Sequence, residues 1–267
     1  MTAHPNFWIL IPARIESKRL PGKILKDING KPMIAHVIER AFKTNAEKVI
    51  VATDSEAIRK VSNEYGAASV ITSNEHPSGS DRICEALRLI DAEDHQLVIN
   101  LQGDEPLIKP EMVNKLAETK YSNPDFAVAT IATPIRNKRN IIDPNSVKVV
   151  FDQNRSALYF SRGVIPYKEE FREKIVRSKG NDKRKTEDDE TYCHQHIGIY
   201  AFEAGSLKRY ISQEPCGLEK IEKLEQLRWL WMGEKIKVLI EEHHSGFGID
   251  TMDDLSKVRK LFVDNLN

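Results

Sequence analysis

The stretch Phe7–Lys23, FWILIPARIESKRLPGK, decides the fold and points to the site. Its first five residues, Phe7–Ile11, are apolar throughout, as in a strand that is buried on both faces of a sheet. Four cations then follow within ten residues: Arg14, Lys18, Arg19 and Lys23. Ligands in α/β proteins bind beyond the carboxyl ends of parallel strands, so this loop is a candidate anion-binding site.

The chain as a whole has no net charge, with 40 Lys and Arg against 40 Asp and Glu among its 267 residues. This balance argues against general nucleic-acid binding and makes any cationic site local. Three cysteines are too few and odd in number for a disulfide framework, which favours a reducing, cytoplasmic location. The N-terminal apolar run is too short for a signal peptide, and no stretch approaches the about 18 apolar residues of a membrane helix. We therefore expect no membrane insertion.

Apolar runs of strand length alternate with segments of helical period along the first half of the chain. The predicted strands are Phe7–Ile11, Lys48–Ala52, Ala67–Ile71, Leu97–Leu101 and Phe126–Ile131. This alternation predicts an α/β fold with a mostly parallel central sheet covered by helices. It also places Pro12–Lys23, Thr53–Asp54 and Gln102–Pro106 at one edge of that sheet, because carboxyl ends of parallel strands meet there.

The second half is less regular. Predicted elements are strands at Val147–Phe151, Ala157–Phe160 and Ile197–Phe202, a helix at Glu169–Arg177 and an amphipathic helix at Leu218–Trp231. Residues Ser178–Glu190 include no apolar residue and predict an exposed loop. We expect residues 1–267 to form a single domain, in which residues 132–200 make a smaller lobe over the sheet edge.

The loop after the first strand matches neither the P-loop pattern nor the dinucleotide-binding pattern. Arginine offers a planar fork for phosphate oxygens, and lysine offers a point charge that can follow developing charge. Pro21 and Gly22 restrict the backbone between these cations. These features favour a polyphosphate site over a solvated basic loop.

Three further stretches each allow two interpretations. Asp104 in LVINLQGDEP can hold Mg²⁺ or simply belong to a turn. Asp250 in GFGIDT can cap the last helix or serve as a second metal carboxylate. The segment HPSGSDR, His76–Arg82, can bind a base or phosphate through its backbone, or Ser80 can be an ordinary N-cap. By contrast, Cys193–His196, CHQH, fits no structural zinc spacing.

Taken together and in order, several motifs resemble one family. They are IPAR, RLPGK, INGKPMI, VATD, HPSGSDR, NLQGDEPLI, ALYFSR, HIGIYAF, LEQLR and GIDT. The chain is similar in these motifs to 3-deoxy-manno-octulosonate cytidylyltransferase, the CMP-Kdo synthetase family, from Phe7 to about Leu261. RLPGK also occurs in other sugar nucleotidyltransferases, whereas QGDEP with ALYFSR, HIGIYA and EQLR is typical of the Kdo enzymes.

The resemblance implies a Rossmann-like nucleotide-diphospho-sugar transferase fold with a smaller sugar-binding and dimerisation lobe, usually in a homodimer. It implies a Mg²⁺-dependent nucleotidyltransferase in lipopolysaccharide biosynthesis. CTP and Kdo, an acidic 2-keto sugar, would give CMP-Kdo and pyrophosphate, with the anomeric 2-hydroxyl attacking the α-phosphorus.

The resemblance also assigns roles to residues. Catalytic roles fall to Arg14, Lys23 and Asp104, and metal binding to Asp104 and Asp250. The nucleotide would contact Ala13, Arg14, Arg19, Lys23, Ser78, Gly79 and Arg82. The sugar would contact Gln102, Arg162, His196, Tyr200, Glu225 and Gln226. Arg162 is the expected partner of the sugar carboxylate, because its planar fork matches that group.

Some positions depart from the usual family pattern: Lys18, Ser80, the run YKEEF after Ile165–Pro166, the charged loop Ser178–Glu190 and Glu203. The departures cluster in the sugar-facing part, so 8-amino-Kdo or another ulosonic acid of the sialic type is an alternative substrate. A catalytically silent nucleotide-binding regulator is a further alternative. It predicts loss of a metal carboxylate or of Lys23, and these residues are all present.

Overall fold

The computed structural model describes residues 5–17, 19–167, 193–242 and 248–264. The predictions made for Lys18, for the helix at 169–177, for the loop at 178–190 and for the first residues of the GFGIDT motif lie outside these ranges. The chain divides into two compact units. Unit one comprises Met1–Pro124, Ile199–Gln213 and Ser245–Asn267, and unit two comprises Asp125–Gly198 and Glu214–His244.

Unit one is built on a mostly parallel sheet. Strand β1 (Phe7–Ala13) pairs in parallel with β4 (Lys48–Thr53) on one side and with β6 (Leu97–Asn100) on the other. Strand β5 (Ala68–Ile71) extends the sheet beyond β4, again in parallel. The end of β10 (His194–Glu203) pairs antiparallel with β6. The predicted α/β class with a mostly parallel sheet is confirmed.

Helices and a short hairpin complete unit one. The hairpin is β2 (Asp27–Ile28) with β3 (Lys31–Pro32), and the helices are α1 (Met33–Ala41), α2 (Glu56–Glu64), α3 (Gly79–Leu89), α4 (Pro110–Tyr121), α6 (Ala204–Ile211) and α9 (Met252–Asp264). Ser55 caps α2 by accepting the N–H of Ile58, as its residue type predicts. Gly66 follows that helix with a φ of 84°, a conformation that favours glycine at a helix end.

The apolar strand residues form the core of unit one. Ile9, Leu10 and Ile11 have no exposed surface, because helices cover both faces of a parallel sheet. Since β4, β1 and β6 are parallel neighbours, their carboxyl ends lie at one edge. The residues after Pro12, after Thr53 and after Leu101 therefore meet at that edge, as the sequence predicts.

Unit two contains two pairs of strands. Strand β7 (Val128–Pro134) is parallel to β11 (Ile236–Ile240), and β8 (Lys148–Phe151) forms an antiparallel hairpin with β9 (Ala157–Ser161). The first residues of β10 pair with β8. Its helices are α5 (Lys138–Ile142), α7 (Gly217–Glu222) and α8 (Gln226–Trp231). Residues 132–198 fall in unit two, and the predicted lobe over the sheet edge stays a prediction.

The predicted single helix at Leu218–Trp231 is wrong. Lys223 adopts a left-handed φ of 55° and ends α7, so two short helices replace one long helix. A single amphipathic helix would place Ile221 on the same buried face as Leu224, but Ile221 is 80% exposed, whereas Leu224 and Leu227 are buried. Separately, no helix among the described residues has the length and apolar character that a membrane crossing requires.

Candidate active site

The cationic loop, residues 14–23, leads from β1 to a short 3-10 helix at Lys23–Leu25. Its backbone turns at Gly22, whose φ of 64° is accessible to glycine without a steric penalty. Leu20 is buried in an apolar cluster and anchors the loop, whereas Arg14 and Arg19 are exposed. The loop borders a cavity of about 350 Å³ lined by Arg14, Ile15, Glu16, Ser17, Pro21 and Gly22. An anchored loop of this kind presents its arginines to an incoming anion.

Lys23 lies between two carboxylates that come from distant parts of the sequence. Its Nζ donates to Asp104 Oδ2, to Asp250 Oδ1 at 3.0 Å and to the carbonyl of Ile249 at 3.1 Å. Arg19 approaches the other oxygen of Asp250 at 2.8 Å. Burial alone would lower the pKa of Lys23, but attraction to Asp104 and Asp250 outweighs it and the pKa is raised. Lys23 is therefore charged throughout the neutral pH range.

The two carboxylates fit Mg²⁺. No group of three or more His, Cys, Asp and Glu side chains in the described parts of the chain is arranged to hold a metal ion. Magnesium does not require such a cage, because it commonly binds one or two protein carboxylates together with substrate phosphates and water. Asp104 and Asp250 already converge on one cation, the ammonium of Lys23. Their convergence on one cation is compatible with the metal-binding role predicted for them, which stays a prediction.

Glu105 adds an enclosed carboxyl group beside this cluster. Its Oε2 is buried and has no hydrogen-bond partner among the described residues. Burial, reinforced by the negative charges of Asp104 and Asp250, raises its pKa to about 8. A Cβ on Gly248 would lie 3.0 Å from Glu105 Oε1, so the chain passes close to this carboxyl group. The side chain is protonated at neutral pH and adds no charge to the cluster.

The start of α3 contains the predicted nucleotide-binding residues Ser78 and Gly79. Ser78, rather than Ser80, is the N-cap: its Oγ accepts the N–H of Asp81 at 3.2 Å. A Cβ on Gly79 would lie 3.2 Å from Pro12 Cγ and 3.4 Å from Gln102 Oε1. This close approach brings the start of α3 against the ends of two strands, next to a residue predicted to contact the sugar.

Arg82, also predicted to contact the nucleotide, is buried with 3% of its side chain exposed. Its Nη2 donates to Asp54 Oδ2 at 2.9 Å, and its Nη1 donates to Thr72 Oγ1 at 2.6 Å. The other oxygen of Asp54 accepts the N–H of Ile15 at 3.0 Å. Arg82 is thus linked to the cationic loop through Asp54.

Two of the residues predicted to contact the sugar lie in unit one. Gln102 follows β6 and donates its amide N–H to Asn100 Oδ1 at 2.9 Å. Tyr200 on β10 is the register partner of the same Asn100. Asn100 therefore lies next to both residues and links the turn after β6 to β10.

His196 and Gln226 meet in unit two. The His196 ring lies edge-on to Phe160, with its Nε2 2.9 Å from Thr130 Oγ1 and its Nδ1 3.5 Å from Gln226 Nε2. Burial lowers the pKa of His196 to about 3. The imidazole is therefore neutral at physiological pH and acts as a hydrogen-bonding group. Glu225 immediately precedes α8, next to Gln226.

Arg162, the last of the predicted sugar-binding residues, is held by the backbone of unit two. Its guanidinium donates to the carbonyls of Glu222 at 2.8 Å, Pro144 at 2.9 Å and Lys223 at 3.4 Å. Its own N–H donates to the Glu222 carboxylate at 2.9 Å. In this structure the Arg162 fork binds carbonyl oxygens, and its predicted contact with a sugar carboxylate stays a prediction.

Lys148 is a buried lysine that contacts the backbone of Arg162. It is fully buried, and its Nζ donates to the carbonyls of Asp143 at 3.0 Å, Ser146 at 2.6 Å and Arg162 at 2.8 Å. Burial lowers the pKa of Lys148 from its ordinary value. Three carbonyl oxygens thus replace the water that this ammonium would have in solution.

Comparisons with known proteins bear on this geometry. A family model described as Cytidylyltransferase matches residues 8–236. The 3-deoxy-manno-octulosonate cytidylyltransferase of Actinobacillus succinogenes is 43% identical over 97% of this chain and 98% of its own length. Its counterpart from Neisseria meningitidis serogroup C is 44% identical over 96% and 98%. A solved CMP:2-keto-3-deoxy-manno-octonic acid synthetase complexed with CTP has a TM-score of 0.84 and 36% identity, covering 98% of this chain and 100% of that one.

The chain belongs to the 3-deoxy-manno-octulosonate cytidylyltransferase family. The resemblance read from its motifs is confirmed, and so is the fold class that the resemblance implies. Within this cytidylyltransferase, the predicted triphosphate and metal residues Arg19, Lys23, Asp104 and Asp250 form one cluster in unit one.

Sequence reasoning missed several residues that support the site of this cytidylyltransferase. Asp54 and Thr72 hold Arg82, Thr130 contacts His196, and Lys148 holds the carbonyl of Arg162. The signal for Asp54 was present in its position just after β4, at the edge where ligands collect. Lys148 had no such signal, because a lysine in a strand is ordinarily on the solvent face.

Proposed function

We propose that this protein transfers a cytidylyl group from CTP to Kdo, giving CMP-Kdo and pyrophosphate for lipopolysaccharide biosynthesis. The anomeric 2-hydroxyl oxygen forms a bond to the α-phosphorus, the bond to the β-phosphate oxygen breaks, and the hydroxyl proton goes to solvent. One observation carries the proposal: Lys23 and Arg19 are clustered with Asp104 and Asp250 at the carboxyl end of a parallel sheet. Family membership and the similarity to a CTP complex support it.

In the proposed reaction the cationic loop binds the triphosphate. Arg14, exposed just after β1, offers a bidentate fork to phosphate oxygens. Lys23 keeps its proton, because the neighbouring carboxylates raise its pKa, and so its charge can stabilise negative charge that develops on the leaving pyrophosphate. Ser78 and Gly79 at the start of α3 lie beside Pro12 and offer a turn against which cytidine binds.

In the same proposal Asp104 and Asp250 hold Mg²⁺. The ion, when bound, supplies positive charge to the phosphates and lowers the pKa of the attacking hydroxyl. Two carboxylates at one point would repel each other without a cation between them, and Lys23 provides that cation in this structure. The residues of this chain therefore keep the acidic pair assembled before substrate arrives.

For the sugar we propose contacts from Gln102, Tyr200, His196, Glu225 and Gln226, with Arg162 facing the carboxylate. His196 has a pKa of about 3 and is neutral, so it would hydrogen-bond a sugar hydroxyl rather than form an ion pair with the acid. The positive charge that selects an acidic sugar would then come from arginine.

The test is pyrophosphate release by the purified protein with Mg²⁺, CTP and one sugar acid at a time. We expect the highest kcat/KM with Kdo and lower values with 8-amino-Kdo and sialic acid. Absence of release with every Kdo-type sugar would refute the proposal.

Two lysine substitutions, one at Lys23 and one at an exposed control position, test whether the activity depends on the cluster of Lys23, Asp104 and Asp250. Lys23→Met should lower kcat by at least about 100-fold, because it removes a charge that acts on the transition state. Lys60→Met changes an exposed lysine on α2 and should leave kcat within about twofold, as expected for a surface substitution away from the site. Equal activities of the two variants would contradict the role of Lys23.

We further propose that the protein is a cytoplasmic homodimer. Leu158, Ile221 and Trp231 in unit two are 61%, 80% and 67% exposed, and large exposed apolar side chains favour contact with another protein surface. The three cysteines are buried thiols, which suits a reducing compartment. Light scattering after gel filtration should give twice the mass of the chain, and Trp231→Glu should shift the mass toward that of a monomer.

A further inference from the structure

A buried ion pair lies behind the cationic loop. Asp54 follows β4 and Arg82 lies on α3, with side chains only 6% and 3% exposed. Apolar side chains of similar volume can often replace such a pair without loss of stability. Packing alone therefore does not explain why charged residues occupy these positions.

The hydrogen bonds of Asp54 and Arg82 explain why charged residues occupy these two positions. One oxygen of Asp54 binds Arg82, and the other accepts the N–H of Ile15 at 3.0 Å. Ile15 directly follows Arg14, so this bond fixes the backbone from which the Arg14 side chain extends. An apolar residue at position 54 has no acceptor for that N–H.

Arg82 in turn fixes Asp54. Its two terminal nitrogens bind different partners, Asp54 Oδ2 at 2.9 Å and Thr72 Oγ1 at 2.6 Å. Thr72 is itself tied to β4 through its N–H, which donates to the carbonyl of Thr53 at 2.9 Å. The loop after β1 is thereby fastened to the ends of β4 and β5 and to α3.

We propose that Asp54 and Arg82 are positioning residues that hold the cationic loop in the geometry needed for the triphosphate. This inference rests on the proposed function of the loop and deepens it. Arg82 acts through Asp54 and Ile15 on the placement of Arg14, without touching the nucleotide. Such support matters because a displacement of about 1 Å in a positioned group can cost 100-fold in rate.

The test uses Arg82→Lys, which keeps the charge but replaces the rigid fork by a single point of attachment. Hydrogen exchange in the ligand-free protein reports the Ile15 amide directly. We expect exchange in residues 14–17 to be at least about tenfold faster, because the acceptor of that amide is no longer held. The KM for CTP should rise about tenfold while the KM for the sugar stays within about twofold, since the perturbation acts on the loop alone.

Arg228→Lys is the matched control. Arg228 and Glu219 form another buried pair, in unit two, with contacts of 2.7 and 2.6 Å. This control should lower the melting temperature without changing loop exchange or the KM for CTP. If both variants accelerate loop exchange equally, or if Arg82→Lys leaves it unchanged, the proposal is overturned.

A second variant covers the case in which Arg82→Lys does not fold. Thr72→Val keeps the Asp54–Arg82 pair and removes only the 2.6 Å bond, so loop exchange should rise by a smaller factor. Unchanged exchange in that variant would count against the proposal. The proposed function and the positioning role are tested by different measurements. If the proposed function is wrong, the wild-type protein releases no pyrophosphate. Hydrogen exchange of the loop tests the positioning role in either case.

Discussion

Lowering the pH from 7 to 5 should lower the free energy of unfolding of unit two, because the buried ring of His196 excludes a proton in the folded protein. The ordinary histidine pKa of 6.5 describes the unfolded chain, and burial lowers the pKa to about 3 in the folded protein. Above pH 6.5 the ring is neutral in both states, and pH has no effect through it. Between 6.5 and about 3 the unfolded chain takes up a proton that the folded protein excludes, so the free energy of unfolding falls as the pH falls.

The size of this effect follows from the two pKa values. At pH 5 the unfolded ring is almost fully protonated and the folded ring almost fully neutral, which corresponds to about 2 kcal/mol of lost stability relative to pH 7. Part of the residue reaches the surface, so this figure is an upper bound. Contacts with Thr130, Phe160 and Gln226 hold the neutral ring.

The assay is urea unfolding followed by tryptophan fluorescence, since Trp229 and Trp231 both lie in unit two. His196→Gln should lose up to about 2 kcal/mol less stability between pH 7 and pH 5 than the wild type, because glutamine does not titrate. His95→Gln, at an 83% exposed side chain, is the matched control and should keep the wild-type pH dependence. The reasoning is refuted if His196→Gln and the wild type lose the same free energy.

Three further predictions concern the described contacts. Asp104→Asn and Asp250→Asn should each lower kcat at least about 100-fold while leaving the fold intact, because each removes charge that serves the transition state; steady-state kinetics and far-UV circular dichroism check this, and near-normal turnover in either would remove that residue from the metal site. Lys148→Met should cost up to roughly 3 kcal/mol in denaturant unfolding, about 1 kcal/mol for each of the three carbonyls that lose this donor, while the exposed control Lys220→Met should stay within about 0.5 kcal/mol; equal losses would contradict the account of Lys148. Gly79→Ala should raise the KM for CTP about threefold or more, because the added Cβ would lie only 3.2 Å from Pro12 Cγ and would displace the start of α3. A KM equal to that of the wild type would show that the start of α3 accommodates the Cβ without displacement.

Much of unit one could be predicted from the sequence because its signals are local. Fully apolar strands such as Phe7–Ile11 report burial on both faces, and caps such as Ser55 and Gly66 mark helix ends by their own chemistry. The rule for carboxyl ends of parallel strands then brought the cationic loop and Asp104 to one edge. The residues alone left Asp250 open between a helix cap and a second metal carboxylate, and only the resemblance favoured the metal, since nothing local relates Asp104 and Asp250.

What escaped prediction depends on tertiary contacts. Lys223 adopts a left-handed conformation and interrupts the expected long helix. No glycine or proline in this stretch indicates the interruption. Lys148 is buried in a strand because its ammonium is surrounded by the carbonyls of Asp143 and Ser146, in the turn before β8, and of Arg162, just after β9. Asp54 joins Ile15 to Arg82, and these residues are adjacent only once the sheet has formed.

The carbonyl contacts of Arg162 have a kinetic consequence. Its guanidinium already donates to three backbone oxygens, those of Glu222, Pro144 and Lys223. A guanidinium has five N–H donors, so a sugar carboxylate that uses the donors now bound to carbonyls has to displace those oxygens, and its apparent affinity is then reduced by the free energy of releasing them. Arg162 would then switch between two sets of acceptors, and sugar binding would show a first-order step whose rate stops rising at high sugar concentration.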